Sequence, residues 1–264
     1  MREELETTVV RFDADTGVGT LTLNRPDSLN AFNEQMKADI VDGLRRLEAI
    51  NESADDIPLR VVILEGAGDN FCVGADVNEF DEQSEGGRSE RRHYDFLMDF
   101  PVPLIAKIEG YCLGGGFETA LACDLRIAHD DSQFGLPEVN LGLHPGGGGI
   151  QFVSVLANSA VAEELALTGK RIGATEAAEY KLVNQVVGDE IMDVTRSIAE
   201  SVAAKPPLAT QAIKQSARMS SQTGLNEGRK YDRRIYERLR QTEDHEKGTR
   251  AFAEDDYEPE FTGS

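Results

Sequence analysis

A chain of 264 residues and 28.9 kDa is long enough for one large or two modest domains with a substantial core, and it needs no disulfide scaffold. Its 27 basic and 48 acidic residues leave a net charge of −21, which repels nucleic-acid phosphates and argues against a nucleic-acid partner. Three cysteines, Cys72, Cys112 and Cys123, cannot all pair and lack the Cys/His spacing of a zinc site, which points to a reducing compartment.

No apolar run approaches the roughly 20 residues of a membrane span, and the opening MREELETT has no apolar signal region, so the expected setting is cytoplasmic, with no membrane partner. The acidic excess reads as a solvated coat suited to high ionic strength. Only 8 lysines, no tryptophan and a pI near 4.5 suggest a salt-adapted, halophilic source.

In chain order, Val9, Val10 and Phe12 alternate, Gly17 marks a turn, and Leu21 and Leu23 share a face, which predicts a β-hairpin. Met36, Ile40, Leu44 and Leu47 then lie on one face of a helix that Asn33 can cap. RVVILEG, residues 60–66, is a β-branched run suited to a strand buried on both faces, and residues 103–108 repeat that character. Residues 81–92 are too polar to pack and read as a loop or helix entry, with a lid over the site as a further option. Beyond Gly114 the pattern gives a helix, a strand at 125–128, a Gly-rich turn at 146–149, and helices near 150–157 and 160–168. A helix carrying Ile191, Val194, Ile198 and Val202 is stopped by Pro206 and Pro207. From there the chain reads as wholly helical, with Tyr231, Ile235 and Leu239 at four-residue steps and a last helix from Thr242 with Glu243 and Asp244 in its first turn. This tail has too few apolar residues for a core of its own, so it must pack on the first part or on another subunit.

Chemistry concentrates in four places. Gly114, Gly115 and Gly116 follow a strand and open a helix, so unpaired amides sit at its positive end and can stabilise an oxyanion. A dinucleotide fingerprint is a poor match, because the glycines are adjacent and Glu118 behind them would repel a pyrophosphate. Glu138, after Pro137, is a second carboxylate in an apolar setting, and two such groups can have their pKa values pushed apart into an acid and a base. HPGGGGI exposes amides centred on Gly146, and FCVGADV can present the amide of Ala75 after the flexible Gly74. The cysteines lack a basic partner and the four histidines form no paired motif, so neither is expected to act as nucleophile, base or metal ligand.

Six segments in this order, NRPDSLNAF, VVILEGAGDNFCVGADVNEF, PLIAKIEGYCLGGGFETALACDLRIA, FGLPEVNLGLHPGGGG, LTGKRIGATEAAEYKLVNQVV and TEDHEKGTRAF, resemble the enoyl-CoA hydratase/isomerase (crotonase) superfamily. The resemblance implies an α/β fold, a crotonase-like spiral of ββα turns over residues 1–200, then a helical oligomerisation region over 201–264 that forms homotrimers or homohexamers. It implies that Ala75 and Gly115 supply the oxyanion hole and that Glu118 and Glu138 are the catalytic glutamates. By the same resemblance Gly146 lies against the added water, while Ser28, Leu29, Ala75 and Val77 hold the CoA adenine and pantetheine. The substrate is then an acyl-CoA thioester, with no metal and no cofactor beyond the CoA of the substrate itself. The implied reaction is hydration of a trans-2-enoyl-CoA. A Δ3,Δ2-enoyl-CoA isomerase or another acyl-CoA-transforming activity stands as the alternative on the same fold, and a non-catalytic scaffold or RNA-binding member as one of another class. The chain departs from the family pattern where Phe152 follows Gln151 in place of arginine, and where Glu254, Asp255 and Asp256 stand in place of basic residues that can meet a CoA phosphate.

Overall fold

The computed structural model describes residues 1–79, 93–254 and 256–264, so the stretch 81–92 lies outside the described residues, as does Asp255. Strands β1 (Arg2–Glu4), β2 (Thr8–Asp13) and β3 (Val18–Leu23) form an antiparallel meander. Helix α1 (Glu34–Glu52) follows; the side chain of Asn33 accepts from the Met36 amide and caps it, as its sequence foretold. Strand β4 (Val61–Gly66), helix α2 (His93–Asp99), strands β5 (Leu104–Ile108) and β6 (Tyr111–Leu113), helix α3 (Gly115–Ala122) and strand β7 (Leu125–His129) complete the first half. Then come β8 (Gln133–Gly135), α4 (Gly149–Leu156), α5 (Ser159–Thr168), β9 (Arg171–Gly173), α6 (Ala174–Glu179), β10 (Gln185–Val187) and α7 (Ile191–Ala203). Helices α8 (Pro207–Met219), α9 (Leu225–Leu239) and α10 (Glu243–Ala253) close the chain.

The main sheet has the order β1-β2-β3-β4-β5-β7-β10 and is parallel from β3 onward. Its two faces are covered by different helices. Met36, Ile40, Leu44 and Leu47 of α1 pack with Val10, Leu21, Val62 and Leu64 on one side. Ile191, Ala199 and Ala203 of α7 pack with Val18, Val61, Ile63, Ile105 and Ile127 on the other. This double cover is why β4 and β5 read as unbroken apolar runs.

A second, three-stranded sheet, β6-β8-β9, stands beside it and was not anticipated from the sequence. Its strands have three residues each, too few to show a period of two. Pro207, expected only to stop α7, also opens α8 at a position where a missing N–H costs the helix nothing. Lys214 and Arg218 of α8 tie the tail to the core: both pair with Asp124, at 2.9 and 3.0 Å, and reach the carbonyls of Val102 and Ala122.

The expectation of a wholly helical tail is corrected after Ala253, where the chain leaves the helix and returns to the core. Asp244 lies in the first turn of α10 but is buried, and its carboxylate accepts from the amides of Thr262 and Gly263 at 2.9 and 2.8 Å. The Ile57 amide donates to the carbonyl of Thr262 at 2.9 Å, which fastens the returning segment to the end of the first αβ unit. Helix α9 buries no residue completely; Tyr231, Ile235 and Leu239 are half-buried, and Phe252 of α10 is 95% exposed. Among the described residues no helix is long and apolar enough to cross a membrane.

Candidate active site

One cavity of about 1600 Å3 opens between α1, α2 and the small sheet, and Leu29, Ala75, Val77, Gly115, Glu118, Glu138 and Gly146 all line it. Ser28 does not: it is exposed at the end of a short 3-10 turn, Pro26–Ser28, next to Leu29.

Two backbone segments form the floor. The Cys72 amide donates to the Tyr111 carbonyl and the Leu113 amide to the Cys72 carbonyl, both at 2.9 Å, so residues 72–75 run beside 111–115. Gly74 has φ +97°, and a Cβ there would lie 3.0 Å from the Leu113 carbonyl and 3.2 Å from the Gly115 nitrogen. That position requires glycine both for its conformation and for the approach of the two segments. The result brings the amides of Ala75 and Gly115 to the same cavity. Gly115 is the first residue of α3, where no preceding turn offers a carbonyl, and among the described residues neither amide has a protein acceptor.

Glu118 projects from the first turn of α3 and is only 2% exposed. Its Oε1 accepts from the amides of Gly147 and Gly149 at 2.8 and 2.9 Å. The carboxylate therefore sits at the amide end of α4 as well as in the first turn of α3, and the amides fix its position. This redirects the reading of the Gly-rich turn, two of whose amides hold Glu118. The turn must be tight there. A Cβ on Gly147 would meet Glu118 Oε2 at 2.7 Å and two ring carbons of Tyr94 at 2.6 Å.

Glu138 is placed differently. It is half-buried on the 3-10 turn Pro137–Leu141, and its Oε1 lies 3.2 Å from where a Cβ on Gly114 would stand. Its Oε2 is buried without a hydrogen-bond partner. Burial pushes its carboxyl up to about 6, with the Glu118 charge adding to the rise and its own backbone amide and His144 opposing it. One carboxylate is thus gripped by amides and the other is left under-solvated, facing the same space.

The three thiols are buried; burial pushes Cys72 and Cys123 up to about 12 and Cys112 upward too, so none supplies a thiolate near neutrality. His93 is buried, with Nε2 3.2 Å from Thr119 Oγ1 and its ring 3.8 Å from that of Tyr94. Among the described residues no three His, Cys, Asp or Glu side chains group as metal ligands. Sequence reasoning missed Gly147 and Gly149 as the holders of Glu118, and Tyr94 altogether. A run of four glycines ending at a helix start was the available signal for the first two.

The family model described as enoyl-CoA hydratase/isomerase matches residues 13–264. The chain is 36% identical over 255 residues to (E)-benzylidenesuccinyl-CoA hydratase of Thauera aromatica, covering 93% of this chain and 96% of that protein. It is 35% identical over 247 residues to 2,3-dehydroadipyl-CoA hydratase of Escherichia coli, covering 92% and 94%. The crystal structure of an enoyl-CoA hydratase from Mycobacterium tuberculosis superposes with a TM-score of 0.89 at 33% identity, covering 98% of this chain and all of that one. Likeness over this length, in sequence and in fold alike, means that the chain belongs to the enoyl-CoA hydratase/isomerase (crotonase) superfamily, on its hydratase side.

Proposed function

We propose that the chain adds water reversibly across the 2,3 double bond of a trans-2-enoyl-CoA to give a 3-hydroxyacyl-CoA. The observation that carries this reading is the unequal carboxylate pair, Glu118 held by two amides and Glu138 with an unpartnered oxygen and a pKa near 6, opposite two undonated amides. The thioester carbonyl lies between the amides of Ala75 and Gly115, which stabilise the enolate oxygen as the β-carbon is attacked. Glu118 orients a water and takes its proton while the hydroxyl forms on the β-carbon beside Gly146. Glu138 delivers its proton to the α-carbon. The CoA handle leaves past Leu29 and Val77, and Ser28 stands at the rim. A Δ3,Δ2-isomerase needs a single base to carry a proton between carbons; the firm grip on Glu118 favours the reaction that needs a second carboxylate for water.

Each turnover starts with one proton on Glu138 and ends with one on Glu118, so in both directions the active form is the singly protonated pair. Crotonyl-CoA tests the function directly, through loss of absorbance at the conjugated thioester band. The activity kcat/KM should fall above about pH 6, as Glu138 loses its proton. Hydration and dehydration should share this limb. No turnover of crotonyl-CoA or of longer enoyl-CoA esters would overturn the assignment.

The half-buried face of α9 and the bare Phe252 support a homotrimer, alone or paired into a hexamer, with α8 to α10 at the contacts. Static light scattering should give three or six times 28.9 kDa at high salt, and smaller species in dilute buffer as the net charge of −21 goes unscreened. A stable monomer at every salt concentration would contradict it.

A further inference from the structure

The Gly-rich turn and the start of α3 approach each other with a side chain wedged between them. A Cβ on Gly147 would stand 2.6 Å from Cε2 and Cζ of Tyr94, and one on Gly115 would stand 2.8 Å from its Oη, so the phenol spans from the turn to the first residue of α3. An acyl chain passes between those two glycines only if the ring moves. Glu118 borders the same gap: the Cβ on Gly147 that meets the ring would also be 2.7 Å from Glu118 Oε2. Tyr94 therefore stands beside both the amide proposed for the carbonyl oxygen and the carboxylate proposed to activate water.

The ring is backed by an anchored neighbour. His93, 3% exposed, opens α2 with its ring centre 3.8 Å from that of Tyr94, and it meets the Phe32 ring edge-on at 5.0 Å. Its Nε2 lies 3.2 Å from Oγ1 of Thr119, which donates to the Gly115 carbonyl at 2.8 Å. The start of α2 is thus fastened to the turn of α3 that carries Gly115 and Glu118. Positions 114–116 and 146–149 are all glycine and add no side-chain bulk there. Phe32 comes within 3.4 Å of a Cβ on Gly115 but is only 2% exposed, whereas Tyr94 is half-buried and lines the cavity.

We propose that Tyr94 is a specificity-determining residue, the wall that the acyl group meets directly beyond the β-carbon. This rests on the hydratase reading above, in which the β-carbon lies two bonds from the carbonyl carbon and one water away from Glu118. The substituent on the β-carbon then lies against Tyr94. A methyl group needs little room there, but a longer or branched group has to displace a ring packed between two stretches of backbone. The favoured substrates are short, unbranched 2-enoyl-CoA esters.

The ratio of kcat/KM for trans-2-decenoyl-CoA to that for crotonyl-CoA tests this, because a purely structural defect slows both esters alike. Tyr94→Ala should raise the ratio about tenfold or more, since one misfitted methylene is already worth about 10- to 200-fold. Tyr94→Phe keeps the ring and should keep the parent ratio. Tyr94→Leu, a better filler and a good helix former, should fall between them and serves if alanine loosens α2. An unmoved ratio in the alanine and leucine variants, a shift in Tyr94→Phe as large as in Tyr94→Ala, or a parent that takes both esters equally well would overturn the proposal.

Calorimetry with butyryl-CoA and decanoyl-CoA, which have no double bond to hydrate, keeps the two readings apart. If Tyr94→Ala tightens decanoyl-CoA relative to butyryl-CoA while the parent hydrates nothing, hydration fails and the wall stands. If the parent hydrates crotonyl-CoA while Tyr94→Ala moves neither the rate ratio nor the binding ratio, the wall fails alone.

Discussion

Glu118→Gln and Glu138→Gln should each slow hydration by about a hundredfold to ten-thousandfold, the usual worth of a positioned proton donor or acceptor, and should still differ in a second reaction. Glutamine at 118 can keep its side-chain oxygen on the amides of Gly147 and Gly149, so the shape of the site survives while the base is lost. The proposed donor to the α-carbon is untouched in that variant. Glu118→Gln should therefore still exchange the α-proton of a saturated or 3-hydroxyacyl-CoA with deuterated water, and faster than Glu138→Gln. The two losses in hydration should not add, since both groups act on one transition state. Mass spectrometry of deuterium uptake decides it: equal exchange, or faster exchange in Glu138→Gln, would mean that the roles are reversed. A stability readout accompanies this test. A carboxyl whose folded pKa is raised from 4.5 to about 6 destabilises the fold increasingly as pH climbs between those values, and constantly above them. Glu138→Gln should melt higher than the parent at pH 7, and this advantage should vanish below about pH 4.5.

Gly115→Pro should remove most turnover by deleting one of the two amides proposed for the enolate oxygen, a donor typically worth about 2.7 to 4 kcal/mol. The position favours a clean experiment. Gly115 opens α3, where proline is accepted and no helical hydrogen bond is lost. Any Cβ there, however, would come within 2.8 Å of Tyr94 Oη, so the tyrosine tip has to move. Gly115→Ala introduces the same crowding and keeps the N–H. If alanine is as inactive as proline, crowding by Tyr94 explains both; if alanine is active and proline is not, the amide is the cause. A folded proline variant with an undiminished rate would remove Gly115 from the mechanism. Circular dichroism establishes folding in each case.

The side chains that announce themselves in the sequence are those with a local pattern. The hairpin, α1 with its Asn33 cap, and the buried strands β4 and β5 were legible because alternation, a 3.6-residue period or an unbroken apolar run marks each. The strands of the small sheet were not, since three residues carry no period. At the site, Glu118, Glu138 and the glycines stood out by chemistry. The partners of Glu118 did not, because they are backbone amides 29 and 31 residues away and have no side chain to signal a role. Ser28, which the resemblance places beside the CoA adenine and pantetheine, is exposed and does not line the cavity. Asp244 had a sufficient local explanation at the start of α10, which concealed its contact with residues 18 and 19 positions further on.

The floor of the cavity is made of main chain, and this divides the site into parts that mutation can and cannot reach. An N–H at position 75 or 115 survives every substitution but proline, whereas either carboxylate is abolished by a single codon change. The apparatus proposed to polarise a thioester is therefore buffered against drift, and the groups that decide what happens to the polarised substrate are not. The close approach at Gly74, where a Cβ would meet the Leu113 carbonyl at 3.0 Å, narrows the tolerated changes in the floor further. A lineage starting from this chain would shed or exchange its proton-transfer groups long before it lost its hold on the carbonyl. New reactions on acyl-CoA esters are then reachable from it in few steps, and reactions that do without an enolate are remote.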